Sequence, residues 1–476
     1  NSENGDQFGL VFLTGDEMLT PEVREDCHED EPPFLPPASI DLRSMKFLVL
    51  LLALIATVDT KTIEISPLDK NWFEVLSGPS LSPGDEIVLA SGTYSDPRRL
   101  QITQRGSATK PITIRAATGA RVIFKRPDAR QNSFNLAGCQ YLVFKDIEIT
   151  GGDAAIRIGK QGNHLAKFIT LENLHIHHIG GVAITANYPG EIYEALTFRR
   201  NHIHHTGGHG EAFYLGSNNK PDGSNNGYLF NSIIENNYIH DLKGGTVSQG
   251  DGIELKDGSY GNIIRDNVIH DTNYPGIIVY DTDSKAPNII ERNVIWNTGD
   301  HGIQAAADAI IRNNLIFDTK GDGIHCRNHQ SAVVGNLTIA HNTILSKSSL
   351  RIIAPEKFGG TLLIANNAFG GALRIPEDSM ITRSGNVRET TERYPSANST
   401  CIGAADPNHQ TTDDFNHTSR AGSNDSGAFR YHPDGYFGWK VTTGFKLQSN
   451  FQHATVIVER VKDQTGDNDF ETLTHV

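Results

Sequence analysis

One short pattern, an Asn followed by a small apolar strand, recurs seven times between Asn201 and Asn367. It reads Arg-Asn-His-Ile at Asn201, Asn-Asn-Tyr-Ile at Asn237, Asp-Asn-Val-Ile at Asn267 and Arg-Asn-Val-Ile at Asn293. Asn-Asn-Leu-Ile at Asn314, His-Asn-Thr-Ile at Asn342 and Asn-Asn-Ala-Phe at Asn367 complete the set. Successive copies lie 36, 30, 26, 21, 28 and 25 residues apart. A strand–turn unit that repeats every ~20–30 residues stacks coils on one another instead of folding as a compact globule.

The unit from Gly252 to Asn293 shows how one coil is written. Ile253 and Leu255 alternate with Glu254 and Lys256, so apolar and polar side chains leave opposite faces of one strand. Asp257 to Gly261 is turn chemistry, and Asn262 to Arg265 is a second strand. Asp266-Asn267 turns the chain into a third strand, Val268-Ile269-His270. Asp271 to Pro275 is a loop before the next coil. The prediction is an all-β parallel β-helix, a single-stranded solenoid of three-strand coils. The repeated Asn is expected at a coil corner, where it tolerates left-handed backbone and bonds its amide to the same group one coil away.

Three further stretches carry a family resemblance: Gly84-Asp85-Glu86-Ile87-Val88-Leu89, Gly92-Thr93-Tyr94, and Lys110 through Ala116. Together they resemble the first coils of secreted right-handed parallel β-helix proteins, the pectate-lyase-like superfamily. The resemblance covers roughly 65–431 and implies the right-handed fold. Asp425-Ser426-Gly427-Ala428-Phe429 resembles the pattern that closes such solenoids. The expected division is a β-helix at 61–375, terminal coils and a cap at 376–431, and a tail at 432–476.

Net charge is −14, but residues 1–44 hold eleven acids against Arg24 and Arg43 and so supply most of it. No basic patch for nucleic acid is suggested. Met45-Lys46 followed by the apolar run Phe47–Ala56 has the anatomy of a signal peptide and is too short to span a membrane. Residues 45–60 therefore read as a leader, and 1–44 as a disordered upstream extension or gene-model artefact. The expectation is a secreted, extracellular protein, monomeric, with no membrane partner. Cys27, Cys139, Cys326 and Cys401 imply no disulfide framework.

Aligning the first strand of each coil on its Gly-Ile core gives two outward columns. One runs Arg157, Thr185, Tyr214, Glu254, Ile278, Gln304, His325. The other runs Gly159, Asn187, Gly216, Lys256, Tyr280, Ala306, Arg327. Glu211, Asp251, His301 and Asp322 precede the strands. Ionisable groups thus gather on one sheet. Asp251-Gly252-Ile253-Glu254-Leu255-Lys256 resembles the Asp-Gly-aromatic-x-x-Lys stretch of one pectate lyase family. It also resembles the acid–x4–Lys stretch of the alginate lyase and chondroitinase B family. Both resemblances imply that Lys256 is the base that removes the proton α to a uronate carboxylate. The alginate lyase resemblance further implies calcium as cofactor, with Asp251, joined by Glu211, as a calcium or carboxylate-neutralising ligand. Tyr280 is then the candidate acid for the leaving oxygen. Tyr214, Glu254, His301, Gln304, His325 and Arg327 are expected to bind substrate, with Glu254 given no proton transfer. A free Lys must have its pKa lowered by burial or nearby cations to act as a base. The chain departs from both families: Tyr280 stands where the alginate lyases have Arg, and Tyr274-Pro275 where the pectate lyases pair Asp residues.

The leading expectation is a polysaccharide lyase that cleaves an acidic, uronate-containing polysaccharide by β-elimination. Glycoside hydrolysis through Asp251, Glu254 and Glu211 is the second. A non-catalytic carbohydrate-binding or structural β-helix, with Lys256 and Glu254 as a solvated pair, is the third. His177, His204, His240 and His270 take the same place on four coils, followed by Trp296 and Phe317. They form either a stacked structural ladder or a row that binds a metal or lines a sugar groove.

Overall fold

The computed structural model describes residues 60–78, 81–218, 227–436 and 438–447, with the backbone of the antiparallel strands Ile457–Arg460 and Glu471–Thr474. All lie in the unit Thr60–Val476. The expected 1–44 extension, leader residues 45–59 and much of the 432–476 tail fall outside the described residues.

Each coil contributes one strand to each of three parallel sheets. In one coil these are Ile233–Glu235 in sheet 1, Tyr238–His240 in sheet 2 and Ile253–Leu255 in sheet 3. The register runs strand on strand: Ile234 over Ile264, Ile239 over Ile269, Glu254 over Ile278. This is the expected all-β right-handed parallel β-helix. Three-residue strands suffice because each needs to send only one or two side chains inward. In sheet 2 the inward residue is the middle one. Ile149, Ile176, Ile203, Ile239, Ile269, Ile295, Ile316 and Ile344 are all fully buried. Stacked at coil spacing, each contributes about 1.5–3 kcal/mol. In sheet 3 the two ends point inward (Ile253 and Leu255, Ile277 and Val279) and the middle residue points out.

The Asn ladder forms, and it is longer than the repeat count. Asn201 Nδ2 donates to Asn237 Oδ1 at 2.9 Å, and the same bond continues through Asn267, Asn293, Asn314, Asn342 and Asn367 to Asn386. Each oxygen also accepts the backbone N–H of the Asn one coil earlier. One detail differs from expectation. The left-handed corner belongs to the residue before each ladder Asn, with φ +54 at Arg200, +52 at Asn236 and +57 at Asp266. The Asn itself turns inward, 0% exposed, because its amide must reach along the axis. A second, shorter ladder, Ser232–Asn262–Asn288, supports the corner between sheets 3 and 1.

Two features close the solenoid. A short helix, Trp72–Leu76, packs Trp72 edge-on against Tyr94 and Phe124 in the first coils. Five residues are too few to display helical periodicity in the sequence. The segment 425–429, expected to close a terminal coil, lies along the flank of sheet 2. Gly427 N–H donates to Asn366 O at 2.7 Å and Ala428 N–H to Thr343 Oγ1 at 2.9 Å. The reason is apolar surface: the outward positions of sheet 2 here are Val268, Val294, Leu315 and Phe317, which Phe415, Ala428, Phe429 and Trp439 cover. Among the described residues Cys139, Cys326 and Cys401 are free and buried. No described helix is long and apolar enough to cross a membrane.

Candidate active site

The first outward column of sheet 3 has the expected register. Thr185 pairs with Tyr214, Tyr214 with Glu254, Glu254 with Ile278, Ile278 with Gln304, and Gln304 with His325. Lys256 follows its strand directly, and its amine meets Tyr280 OH across one coil at 3.3 Å. The stem of Lys256 runs beside Gly216 on the preceding coil. Gly216 has φ +91, and a Cβ there would come within 2.7 Å of Lys256 Cβ. The bare glycine gives the lysine its room.

Glu254 is the hub of the site. Its Oε1 accepts from Lys256 Nζ at 2.5 Å and from Tyr280 OH at 2.9 Å. The amine also lies over the rings of Tyr214 and Tyr280, at 4.5 and 5.1 Å from their centroids. Lys256 and Glu254 are only 5% and 3% exposed, so they are not a solvated surface pair. Nor is the amine depressed as a base requires. Burial lowers its pKa, but Glu254 and Tyr214 outweigh burial and hold it above the ordinary lysine value. Burial and the neighbouring Glu254 carboxylate push Tyr280 far up, so it stays a neutral phenol.

Beside this triangle lies a group of acids. One oxygen each from Glu211, Asp251 and Glu254 falls within 4.8 Å of the others. Both carboxylate oxygens of Glu211, Oδ1 of Asp251 and Oε2 of Glu254 have no hydrogen-bond partner among the described residues. Asp251, expected at the rim, is 1% exposed. Burial drives the Glu211 carboxyl up to about 7, with Glu254 adding to it. Burial, with Glu254 and Glu211, raises Asp251 as well. Buried carboxylate oxygens without donors are costly unless protonated or bound to a cation. An all-oxygen set of this kind fits a hard cation such as calcium.

Loops wall the site on two sides. Ser248 N–H donates to Gly208 O at 2.7 Å and Gln249 N–H to His209 O at 3.1 Å, joining the two loops that precede the strands. On the far side, His329 packs on Tyr280 with centroids 4.6 Å apart, and Ser331 hydrogen-bonds to Asp257. Sequence reasoning missed His329 and Ser331, because a loop has no period to mark them. It also did not foresee that Glu254 contacts both Lys256 and Tyr280.

Other expected substrate contacts lie further along the sheet. The Ile278 rung separates Glu254 from Gln304, which is 4% exposed. His301 and His325 stack at 3.9 Å, and Asp322 Oδ2 lies 2.6 Å from His325 Nδ1. Arg327 is exposed just past that strand.

The sequence matches the family described as the right handed beta helix region over residues 128–286 and 193–369. No curated protein matches it by sequence. Among solved structures, XylC in complex with xylose is 11% identical, with 77% of this chain and 98% of that chain covered and a TM-score of 0.51. An alginate lyase from Paenibacillus sp. str. FPU-7 is 18% identical, covering 68% and 99%, at TM-score 0.49. Pectate lyase Pel9A is 17% identical, covering 79% and 98%, at TM-score 0.49. At 11% identity the likeness to XylC is one of fold.

Proposed function

The chain belongs to the right-handed β-helix family, and within it we propose that this protein cleaves an acidic, uronate-containing polysaccharide by β-elimination at the Lys256–Glu254–Tyr280 triangle. The observation that carries this reading is the shared oxygen: Glu254 Oε1 contacts both the amine and the phenol. It lets a proton circulate without loss. Lys256 passes one to Glu254 across their 2.5 Å contact, against the hold that Glu254 and Tyr214 keep on the amine's proton. The neutral amine then takes the C5 proton of the uronate. The C5–H electrons form the C4=C5 double bond as the C4–O bond breaks, and Tyr280 protonates the departing oxygen. Glu254 returns its proton to Tyr280, and the site is restored.

Glu211, Asp251 and Glu254 would hold a calcium ion. When bound, such an ion neutralises the carboxylates and the uronate charge. Secretion belongs to this reading, on the charged start and apolar run at 45–56. A second reading, glycoside hydrolysis, rests on Glu211: a carboxyl held up to about 7 is about half protonated at neutral pH and could serve as a general acid. The deciding experiment incubates the full chain with alginate, pectate and chondroitin. The lyase reading expects the ultraviolet absorbance of a new C4=C5 bond. New reducing ends without that absorbance would establish the hydrolase instead, and saturable binding without turnover would sink both.

A further inference from the structure

Sheet 2 carries two outward columns, one on each side of its isoleucine stack. One runs Glu148, His175, His202, Tyr238; the other runs Thr150, His177, His204, His240 and then His270, Trp296, Phe317. Stacking alone does not call for imidazole. Trp296 continues the stack on His270 at 4.2 Å, and Phe317 follows at 5.6 Å. What the imidazoles add is ring nitrogen, and the nitrogens converge diagonally between the columns. His175 Nε2 lies 2.9 Å from His204 Nε2, and His202 Nε2 lies 2.8 Å from His240 Nε2. One ring nitrogen from each of His175, His202 and His204 falls within 4.8 Å of the other two. Glu148, His175 and His177 make an adjoining set.

We propose that His175, His202 and His204 bind one divalent transition-metal ion of the Zn(II) or Cu(II) type through their ring nitrogens. Imidazole suits these borderline ions, and Cu(II) should bind tightest. The ion takes the place of the protons that now bridge the nitrogens. Metal–nitrogen distances of about 2.0–2.1 Å require the 2.9 Å contact to widen by only a few tenths of an ångström. His175 and His202 are half-buried at the outer face of the sheet. Glu148 stays ionised beside the cluster. Although burial opposes it, bonds to His177 and Arg121 hold its pKa at about 2. His240 is oriented from behind by Asp241, 2.8 Å from its Nδ1.

The test titrates the full chain with Cu(II), using calorimetry for affinity and electron paramagnetic resonance for the nitrogen couplings. One ion per chain with nitrogen hyperfine structure is expected. His204→Gln should weaken binding on the order of 10–100-fold or more. His204 is buried, so His175→Gln, at a half-buried position on the outer face, is the second variant, and it should show the same loss with a thermal unfolding midpoint shifted less than that of His204→Gln. His270→Gln, on the same ladder but outside the cluster, should bind as the wild type does. Affinity unchanged in both His175→Gln and His204→Gln, or an equal loss in His270→Gln, overturns the proposal.

Discussion

Glu254 shows what a single side chain can control here. Its one oxygen touches both groups proposed to move protons, so Glu254→Gln should cost nearly as much turnover as Lys256→Met, each on the order of 10²–10⁴-fold in kcat. Elimination assays on a turned-over polyuronide check this. The stability effects differ. Lys256→Met leaves buried acids without their cation and should lower unfolding free energy by about 3–5 kcal/mol, read from denaturant melts. Glu211 gives a pH signature. Its folded pKa is raised from 4.5 to about 7, so the folded state binds the proton more tightly. The sign follows: the Glu211 contribution to stability is greatest below about 4.5, falls as pH rises towards 7, and is level above. The loss is on the order of 3 kcal/mol. Glu211→Gln should flatten that slope, and calcium, if held by these acids, should recover stability at pH 7 and above. The positions of Lys256, Tyr280, Glu254, Asp251 and Glu211 were legible because strand register follows from the Gly-Ile core. The loops at 207–210 and 243–250 were also legible as walls of a groove, whereas the depth of burial and the opposite wall at 327–332 leave no periodic trace.

At the scale of the element, the Asn ladder is what holds one coil to the next. Asn267→Ala would strip the acceptor from both the backbone N–H and the Nδ2 of Asn237, and the donor from Ile234 O. Each orphaned buried group costs about 1–3 kcal/mol, so a loss of roughly 3 kcal/mol or more is expected in thermal or denaturant unfolding. Asn386→Ala, at the half-buried last rung, should cost less. The repeat itself was plain in the sequence, because one residue type returned before one apolar strand. The assignment of the left-handed corner to the residue before it was not. Asn236, Asp266, Asn313, His341 and Asn366 are types that tolerate this backbone, but Arg200 and Arg292 at the same corner break the pattern.

Across the molecule, the stretch after the last coil is a structural part of the flank. Lys446 Nζ is buried and donates to Asp266 Oδ1 at 2.7 Å, Arg292 O at 2.9 Å and Phe415 O at 2.6 Å. His417 Nε2 meets the same Asp266 carboxylate at 3.0 Å. Lys446→Met should therefore release this strap while the coils persist. Limited proteolysis should cut within 413–447 many times faster than in the wild type, with the β-sheet circular dichroism intact. The strand repeat was readable, whereas the strap's course was not, because Lys446 and His417 meet Asp266 across 180 and 151 positions. The amide column also has a polarity. Every ladder oxygen faces the preceding coil, so the side-chain dipoles add along the axis rather than cancel. Aligned hydrogen bonds polarise one another. Removing two adjacent rungs should then cost a different amount from removing two distant ones, and a double-mutant cycle would measure how far along the column one amide is felt.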